Sequence, residues 1–232
     1  MSHSMVIAIV KPDRDIESQV EEVMKGFDEN LEVESHKEKC WCIGRQAEKY
    51  ADEALTNQMG SWDDAKKQYN KKYPKGTQEQ WLEEYYNPRH EFEARFIANH
   101  PLRNSPDENC DNCNGTGKYE TTRNPQSKWD WYVIGGRWDG VMCGLPEIDD
   151  GRGGFNFGDE YHSLERNCCR VDEVKTTPFA IVTFDGTWIE RGEMGWWGVV
   201  TNEKDHQDWE SQWERIKKAF GGYTAVSLDV HI

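Results

Sequence analysis

The segment from Lys128 to Gly140, KWDWYVIGGRWDG, combines residue types that could recognise a flat, charged ligand. It places three Trp, one Tyr, one Lys, one Arg, two Asp and three Gly within thirteen positions. Aromatic faces attract cations and stack on planar rings, and paired glycines allow the backbone to approach a ligand closely. A core strand does not need this mixture. The segment is therefore typical of a binding site for a nucleotide-like molecule.

Strand alternation predicts an aromatic face and a charged face for this segment. The aromatic face holds Trp129, Trp131 and Val133, and the charged face holds Lys128, Asp130, Tyr132 and Ile134. After the Gly-Gly turn, Arg137 can point back towards the charged face, where its planar guanidinium suits phosphate recognition. The predicted ligand-binding residues are Lys128, Asp130, Tyr132, Arg137, Trp129 and Trp138. The alternative is an ordinary strand with an aromatic core and a solvated network of surface charges.

The string CDNCNGTG, Cys110 to Gly117, indicates half of a metal site. Two thiolates separated by two residues can reach one tetrahedral Zn²⁺ from a tight knuckle, and glycines supply the positive φ angles that the knuckle needs. The string resembles one CxxCxGxG repeat of the DnaJ-type zinc domain. The resemblance covers eight residues, and the other repeats of that family are absent from the chain. A chaperone role is therefore not implied.

The remaining metal ligands must come from elsewhere in the chain. We expect a structural Zn²⁺ held by Cys110, Cys113, His100 and Cys168, because His100 is near in sequence and a long loop could return Cys168. Five further residues stay open as ligands: Cys169, Cys40, Cys42, His90 and Cys143. The alternative is a plain turn with two free thiols.

Asp229 and His231 lie two positions apart near the C-terminus and share one face of the last predicted strand. A histidine oriented by a carboxylate can act as an acid, a base or a metal ligand. If the protein is an enzyme, these two residues are its predicted catalytic residues. The alternative is that both cap the polar edge of the sheet.

The composition limits the kinds of partner. The chain has 43 acidic and 28 basic residues and a formal net charge of −15, which argues against non-specific nucleic-acid binding. A small anionic ligand in a locally basic pocket remains compatible with that charge. No apolar run approaches the roughly 20 residues of a membrane span, and the run Met5–Val10 is too short for a secretory signal. We therefore expect a cytoplasmic protein without a membrane partner, and the sequence also allows a homo-oligomer.

The order of the predicted elements favours an α+β fold. An apolar strand from Met5 to Val10 precedes a helix, and an alternating strand from Thr224 follows a helix that carries Trp209 and Trp213. A hairpin is predicted around Asp185-Gly186. We expect one domain over 1–232 with a two-layer, loosely ferredoxin-like sheet, formed by about 5–36 and 119–232, whose first and last strands share the sheet. An insertion over about 45–118 is predicted to be helical and to carry the zinc knuckle, and 147–162 is predicted to be an acidic loop.

Four stretches together resemble an uncharacterised family of bacteriophage and prophage proteins. They are the opening strand–helix unit, CDNCNGTG, NPQSKWDWYVIGGRW, and the pair GEMGWWGVV and LDVHI. The resemblance spans most of the chain and implies a phage-encoded protein that acts in the host cytoplasm. It implies no assigned activity. The phage context suggests counter-defence, in which a small protein sequesters or degrades a nucleotide immune signal.

Three functions follow as hypotheses. The first is a binding protein for a phosphorylated, nucleotide-like small molecule. The second is a metal-dependent hydrolase or phosphodiesterase that acts on such a molecule through Asp130, Asp229 and His231. The third is an inhibitor whose acidic surface binds a host protein.

Overall fold

The computed structural model describes residues 3–146, 163–195 and 199–231. Its strands are β1 (His3–Val10), β2 (His36–Lys39), β3 (Lys118–Thr121), β4 (Trp131–Ile134), β5 (Cys168–Arg170), β6 (Ala180–Val182), β7 (Trp188–Glu190), β8 (Glu193–Met194), β9 (Val200–Thr201) and β10 (Thr224–His231). Its helices are α1 (Ile16–Met24), α2 (Arg45–Met59), α3 (Trp62–Lys72), α4 (Gln78–Trp81), α5 (Asn87–Asn99), α6 (Leu164–Asn167) and α7 (His206–Phe220). The predicted acidic loop at 147–162 lies outside the described residues.

The contacts divide the chain into two compact units. The first unit comprises Met1–Val33 and Arg123–Ile232, and the second comprises Glu34–Thr122. The second unit is one continuous stretch that interrupts the sequence of the first. No helix in the described ranges is both long enough and apolar enough to cross a membrane.

A mixed sheet forms the centre of the first unit, with strand order β4-β10-β1-β6-β7 and with β5 also paired to β10. β1 pairs antiparallel with β10 along its whole length, from His3↔His231 to Val10↔Thr224. The prediction that the first and last strands share a sheet is therefore confirmed. β1 pairs in parallel with β6, and β6 continues into the predicted hairpin with β7.

Helices cover both faces of this sheet. On one face, α1 packs Val20 and Met24 against the β1 residues Val6 and Ala8. On the other face, α7 packs two buried tryptophans, Trp209 and Trp213, against Ile7 and Ile9 of β1. The α+β class is confirmed, but the arrangement has a helix on each face instead of the expected two layers. The physical reason is that β1 is apolar at every position from 5 to 10, so both of its faces must be removed from water.

The second unit consists of the two-stranded β2–β3 ribbon and the helices α2 to α5. The ribbon is antiparallel, and its register begins with His36 opposite Thr121 and ends with Lys39 opposite Lys118. The helices bury few large aliphatic side chains: the buried residues of α2 and α3 are Ala47, Ala51, Leu55, Ala65 and Tyr69. Such a small apolar core contributes little to folding stability, so a bound metal would add substantially to the stability of this unit.

Candidate functional site

Four cysteines converge at one end of the β2–β3 ribbon. Cys40, Cys42, Cys110 and Cys113 are all buried, and their Sγ atoms lie within 4.8 Å of one another. The Sγ atoms of Cys40 and Cys110 are 3.7 Å apart, and those of Cys42 and Cys113 are 3.5 Å apart. A tetrahedral metal with M–S bonds of about 2.3 Å requires S···S separations of roughly 3.8 Å. The four-cysteine cluster could therefore hold a metal ion.

The ribbon register positions the two halves of this cluster. The backbone N–H of Cys40 donates to the carbonyl of Gly117 at 2.9 Å, so the turn after β2 lies beside the turn before β3. Gly44 and Gly117 both have positive φ angles, of 87° and 74°. A Cβ at Gly44 would lie 2.8 Å from the carbonyl oxygen of Arg103, so only glycine fits there.

Hydrogen-bond donors surround the sulfurs of the four-cysteine cluster. The backbone N–H of Gly117 donates to Sγ of Cys113 at 3.3 Å, and the side-chain amide of Asn112 donates to Sγ of Cys40 at 3.7 Å. N–H···S contacts of this kind stabilise thiolates at metal centres. Burial raises the pKa of the Cys42 thiol to about 12, so without a cation this thiol stays protonated at neutral pH. Metal binding would release that proton.

Two of the expected metal ligands do not belong to this cluster. His100 accepts a hydrogen bond from the backbone N–H of Leu102 through Nδ1, and its ring stacks on Tyr50 and Phe96. Cys168 lies in β5 of the first unit, where it packs against the apolar core beside α1. Burial raises the pKa of the Cys168 thiol to about 12. Instead of His100 and Cys168, the structure places Cys40 and Cys42 beside Cys110 and Cys113. Both had been open alternatives.

In the first unit, three rings form a row across neighbouring strands. His231 of β10 lies opposite His3 of β1 and opposite Trp131 of β4. The ring of Trp131 stacks on His231 with centroids 5.1 Å apart, and the ring of His3 meets both edge-on at 4.9 and 5.2 Å. Sequence reasoning did not single out His3. Because side chains alternate along β1, His3 lies on the same face of the sheet as Ile7 and Ile9. Helix α7 packs against Ile7 and Ile9 on that face.

Two carboxylates and an arginine complete this group, which we call the His–Asp cluster (His3, Asp130, Trp131, Arg137, Asp229 and His231). Nδ1 of His231 lies 2.6 Å from Oδ1 of Asp130, and Nδ1 of His3 lies 2.9 Å from Oδ1 of Asp229. The other oxygen of Asp229 accepts the backbone N–H of Arg137 at 3.1 Å and lies 3.9 Å from Nε of that guanidinium. The predicted residues Asp130 and Arg137 therefore join the predicted pair Asp229 and His231.

Gly136 makes the contact between Arg137 and Asp229 sterically feasible. Its φ is +54°, and a Cβ built there would lie 2.6 Å from Cβ of Asp229 and 2.7 Å from its Oδ2. Any side chain at this position would push the turn away from the buried carboxylate. The Gly-Gly turn thus allows close approach to a protein carboxylate.

The structure places the other predicted ligand residues differently. Nζ of Lys128 pairs with Oε1 of Glu190 at 2.6 Å. Trp129 packs against the α1 side of the core and donates its indole N–H to the carbonyl of Met24 at 3.1 Å. Tyr132 packs against the same core, and burial raises the pKa of its phenol.

A bend at Asp130 explains why the predicted alternation holds from Trp131 to Ile134 but fails at Trp129. The β4 strand begins only at Trp131, so Trp129 and Tyr132 lie on the α1 side while Trp131 lies on the opposite side with His231. Trp138 follows the Gly-Gly turn, and its buried indole nitrogen has no hydrogen-bond partner within the described ranges.

The His–Asp cluster has the chemistry of an oriented imidazole. An ionised Asp130 favours the tautomer of His231 with its proton on Nδ1, which leaves Nε2 as the acceptor. Nε2 of His231 is buried and has no hydrogen-bond partner among the residues that the structure describes. It could therefore accept a proton, or donate one when the ring is charged.

Comparison with known proteins adds no relative: no family model, curated protein or solved structure matches this chain.

Proposed function

We propose that the His–Asp cluster binds a phosphorylated, nucleotide-like small molecule. The observation that carries this proposal is Nε2 of His231, which is buried and has no partner in the described ranges, while Nδ1 is held by Asp130. Buried polar atoms in proteins nearly always have a hydrogen-bond partner. A charged His231, stabilised by Asp130, would donate from Nε2 to a phosphate oxygen.

The neighbours of His231 suit the other parts of such a ligand. The side chain of Arg137 is 27% exposed, so its guanidinium could approach a second phosphate oxygen. Trp131 is 37% exposed and stacks on His231. Movement of its indole would uncover Nε2 and offer an aromatic face to a base. In this proposal Lys128, Trp129 and Tyr132 stabilise the fold and do not contact the ligand.

The biological setting is part of the same proposal. The resemblance to a bacteriophage family suggests a protein of the host cytoplasm that sequesters a phosphorylated immune signal. An excess of 15 negative charges would disfavour long nucleic acids and still permit a small anion beside Arg137 and the two histidines of the cluster.

Binding can be tested in two steps. Denaturing the purified protein and identifying released small molecules by mass spectrometry gives a candidate ligand, and titration calorimetry against mono-, di- and cyclic nucleotides measures its affinity. We expect His231→Ala and Asp130→Asn each to weaken binding at least about tenfold, which corresponds to about 1.4 kcal/mol. His206→Ala is the matched control, because this α7 histidine is exposed and lies outside the cluster. Wild-type affinity in both cluster variants would contradict the proposal.

Hydrolysis of the same ligand is a second candidate function. Asp130 contacts Nδ1 of His231 at 2.6 Å, and a carboxylate in this position keeps Nε2 suited to proton transfer. His231 would take a proton from the attacking water, and we propose His3, whose Nδ1 contacts Asp229, as the acid that protonates the leaving oxygen. Chromatography of incubated nucleotides would show products with wild type and none with His231→Ala. Quantitative recovery of intact nucleotide from the wild-type protein would exclude this function.

We further propose that the four-cysteine cluster holds a structural Zn²⁺. Four sulfurs that lie within 4.8 Å of one another, with two pairs at 3.7 and 3.5 Å, suit a closed tetrahedral zinc site, and such sites stabilise folds instead of binding substrates. Elemental analysis of protein purified without chelator should give about one zinc per chain. Metal-free wild-type protein that shows no thermal response to added zinc would contradict this assignment.

A further inference from the structure

We propose that the β2–β3 ribbon carries a second anion site, which binds the phosphate groups of a small molecule. Three lysines, Lys37, Lys39 and Lys118, lie exposed on one face of the ribbon, together with Glu120. The opposite face carries a hydrogen-bonded group formed by His36, Glu38 and Tyr119. The lysine face thus bears an excess of positive charge in a protein of net charge −15.

The pairing of two of these lysines is unfavourable without an anion. Lys39 and Lys118 are directly opposite in the register, where Cβ atoms lie about 4.5–5.5 Å apart and like charges destabilise a strand pair. None of the three lysines forms an ion pair with a residue in the described ranges. Glu120 lies opposite Lys37 and offsets only part of this charge. A bound phosphate would turn the repulsion into attraction.

A cleft beside these lysines offers room and further donors. It has a volume of about 460 Å³ and is lined by Lys37, Lys118, Asn112, Asn114, Thr116 and Glu120, among others. This volume lies in the range of small-ligand sites. The side-chain amides of Asn112 and Asn114 can donate to phosphate oxygens that the ammonium groups neutralise.

The cleft is built on a constrained part of the chain. Cys113 lines it and belongs to the four-cysteine cluster. Asn114 has a positive φ of 48°, which is uncommon for a residue other than glycine. The hydroxyl of Thr116 donates to the carbonyl of Cys113 at 2.6 Å. A site held in this way loses little conformational entropy when a ligand binds.

A small phosphorylated molecule fits this surface better than a nucleic acid. Each strand of the ribbon has only four residues, so the lysine face extends over roughly 13 Å. The net charge of −15 repels a long polyanion, whereas a compact one experiences mainly the local lysines.

The test uses the intact, metal-loaded protein and inorganic triphosphate, which lacks a base. Titration calorimetry at low salt should detect binding to the wild type, and Lys37→Gln and Lys118→Gln should each weaken it about tenfold. The melting temperature of Lys118→Gln should equal or exceed that of the wild type, because the substitution removes a like-charge contact. If Lys118 only stabilised the fold, Lys118→Gln would lower the melting temperature instead. Lys66→Gln is the control, since Lys66 is an exposed lysine of α3 outside the cleft.

The outcomes separate this site from the His–Asp cluster. Triphosphate binding that survives His231→Ala and fails in Lys118→Gln supports the ribbon site whether or not the cluster binds a ligand. Unchanged binding in both ribbon variants overturns it, as does a loss of binding in His231→Ala alone. Tighter binding of a single-stranded oligonucleotide than of triphosphate, with the same lysine dependence, would overturn the small-molecule assignment.

Discussion

Replacing Gly136 with alanine should destabilise the first unit strongly, although the substitution adds only one methyl group. The residue has a φ of +54°, a backbone conformation that costs an L-residue about 1–2 kcal/mol. The added Cβ would also lie 2.6 Å from Cβ of Asp229, a side chain with 1% exposure that cannot move into solvent. Overpacking of this kind typically costs about 1–3 kcal/mol.

Together these effects predict a loss of about 2–5 kcal/mol in the free energy of unfolding of the first unit. For a unit of this size, a loss near 3 kcal/mol lowers the melting temperature by about 10 °C. The backbone N–H of Arg137 would also lose its contact with Oδ2 of Asp229, so ligand binding at the His–Asp cluster should weaken in parallel.

Two other glycines separate the causes. Gly186 has a φ of +76° and open space around it, so Gly186→Ala measures the backbone cost alone, about 1–2 kcal/mol. Gly222 has an ordinary φ and no neighbour within 4 Å, so Gly222→Ala should be nearly neutral. Thermal and urea unfolding, followed by circular dichroism, should show that Gly222→Ala is the most stable variant, that Gly186→Ala is less stable, and that Gly136→Ala is the least stable. Equal stability of the Gly136 and Gly186 variants would refute the close contact with Asp229.

Four further predictions concern the metal site, a buried thiol and a helix cap. Cys42→Ser should lower both the metal content and the melting temperature, whereas Cys143→Ser, outside the four-cysteine cluster, should leave the metal content unchanged. Acidification should release the metal, because metal binding requires deprotonated thiols and affinity falls as pH falls; metal retained in acid would argue against thiolate ligands. Burial raises the pKa of Cys169 to about 12, so this thiol should be protonated near pH 8 and react with iodoacetamide more slowly than in the unfolded chain, as peptide mass spectrometry can measure. Ser61→Ala removes the side chain that caps α3 and should cost about 1 kcal/mol, measured by urea unfolding; an unchanged midpoint would mean that the capping box contributes nothing.

Local patterns predicted much of the fold. The apolar run at Met5 and the alternation after Thr224 identified β1 and β10, and Asp185-Gly186 identified the β6–β7 hairpin. The helices α3 and α4 begin with capping boxes at Ser61 and Thr77, a motif that depends only on residues three positions apart. These signals are short in range and can be recognised in a single sequence.

Pairings between distant segments could not be predicted in the same way. The ligand set of the four-cysteine cluster depends on the register of β2 with β3, which brings Cys40 to Cys110 across 70 positions. One visible signal was the CxC spacing of Cys40 and Cys42 before a glycine, which resembles a second knuckle. The contact of Asp130 with His231 similarly depends on the register of β4 with β10 and on the bend at Asp130.

The register of the β2–β3 ribbon brings the two ends of the second unit together, so this unit could be removed or moved to another protein. His36 and Thr121 are opposite partners, so the segment leaves and rejoins the first unit through points only about 5 Å apart. A stretch with adjoining ends can be removed and replaced by a short glycine linker, or transplanted into a surface loop of another protein, without stretching the host chain. The unit with the four-cysteine cluster therefore has the geometry of a removable insertion, and chains with and without it could share the same central sheet.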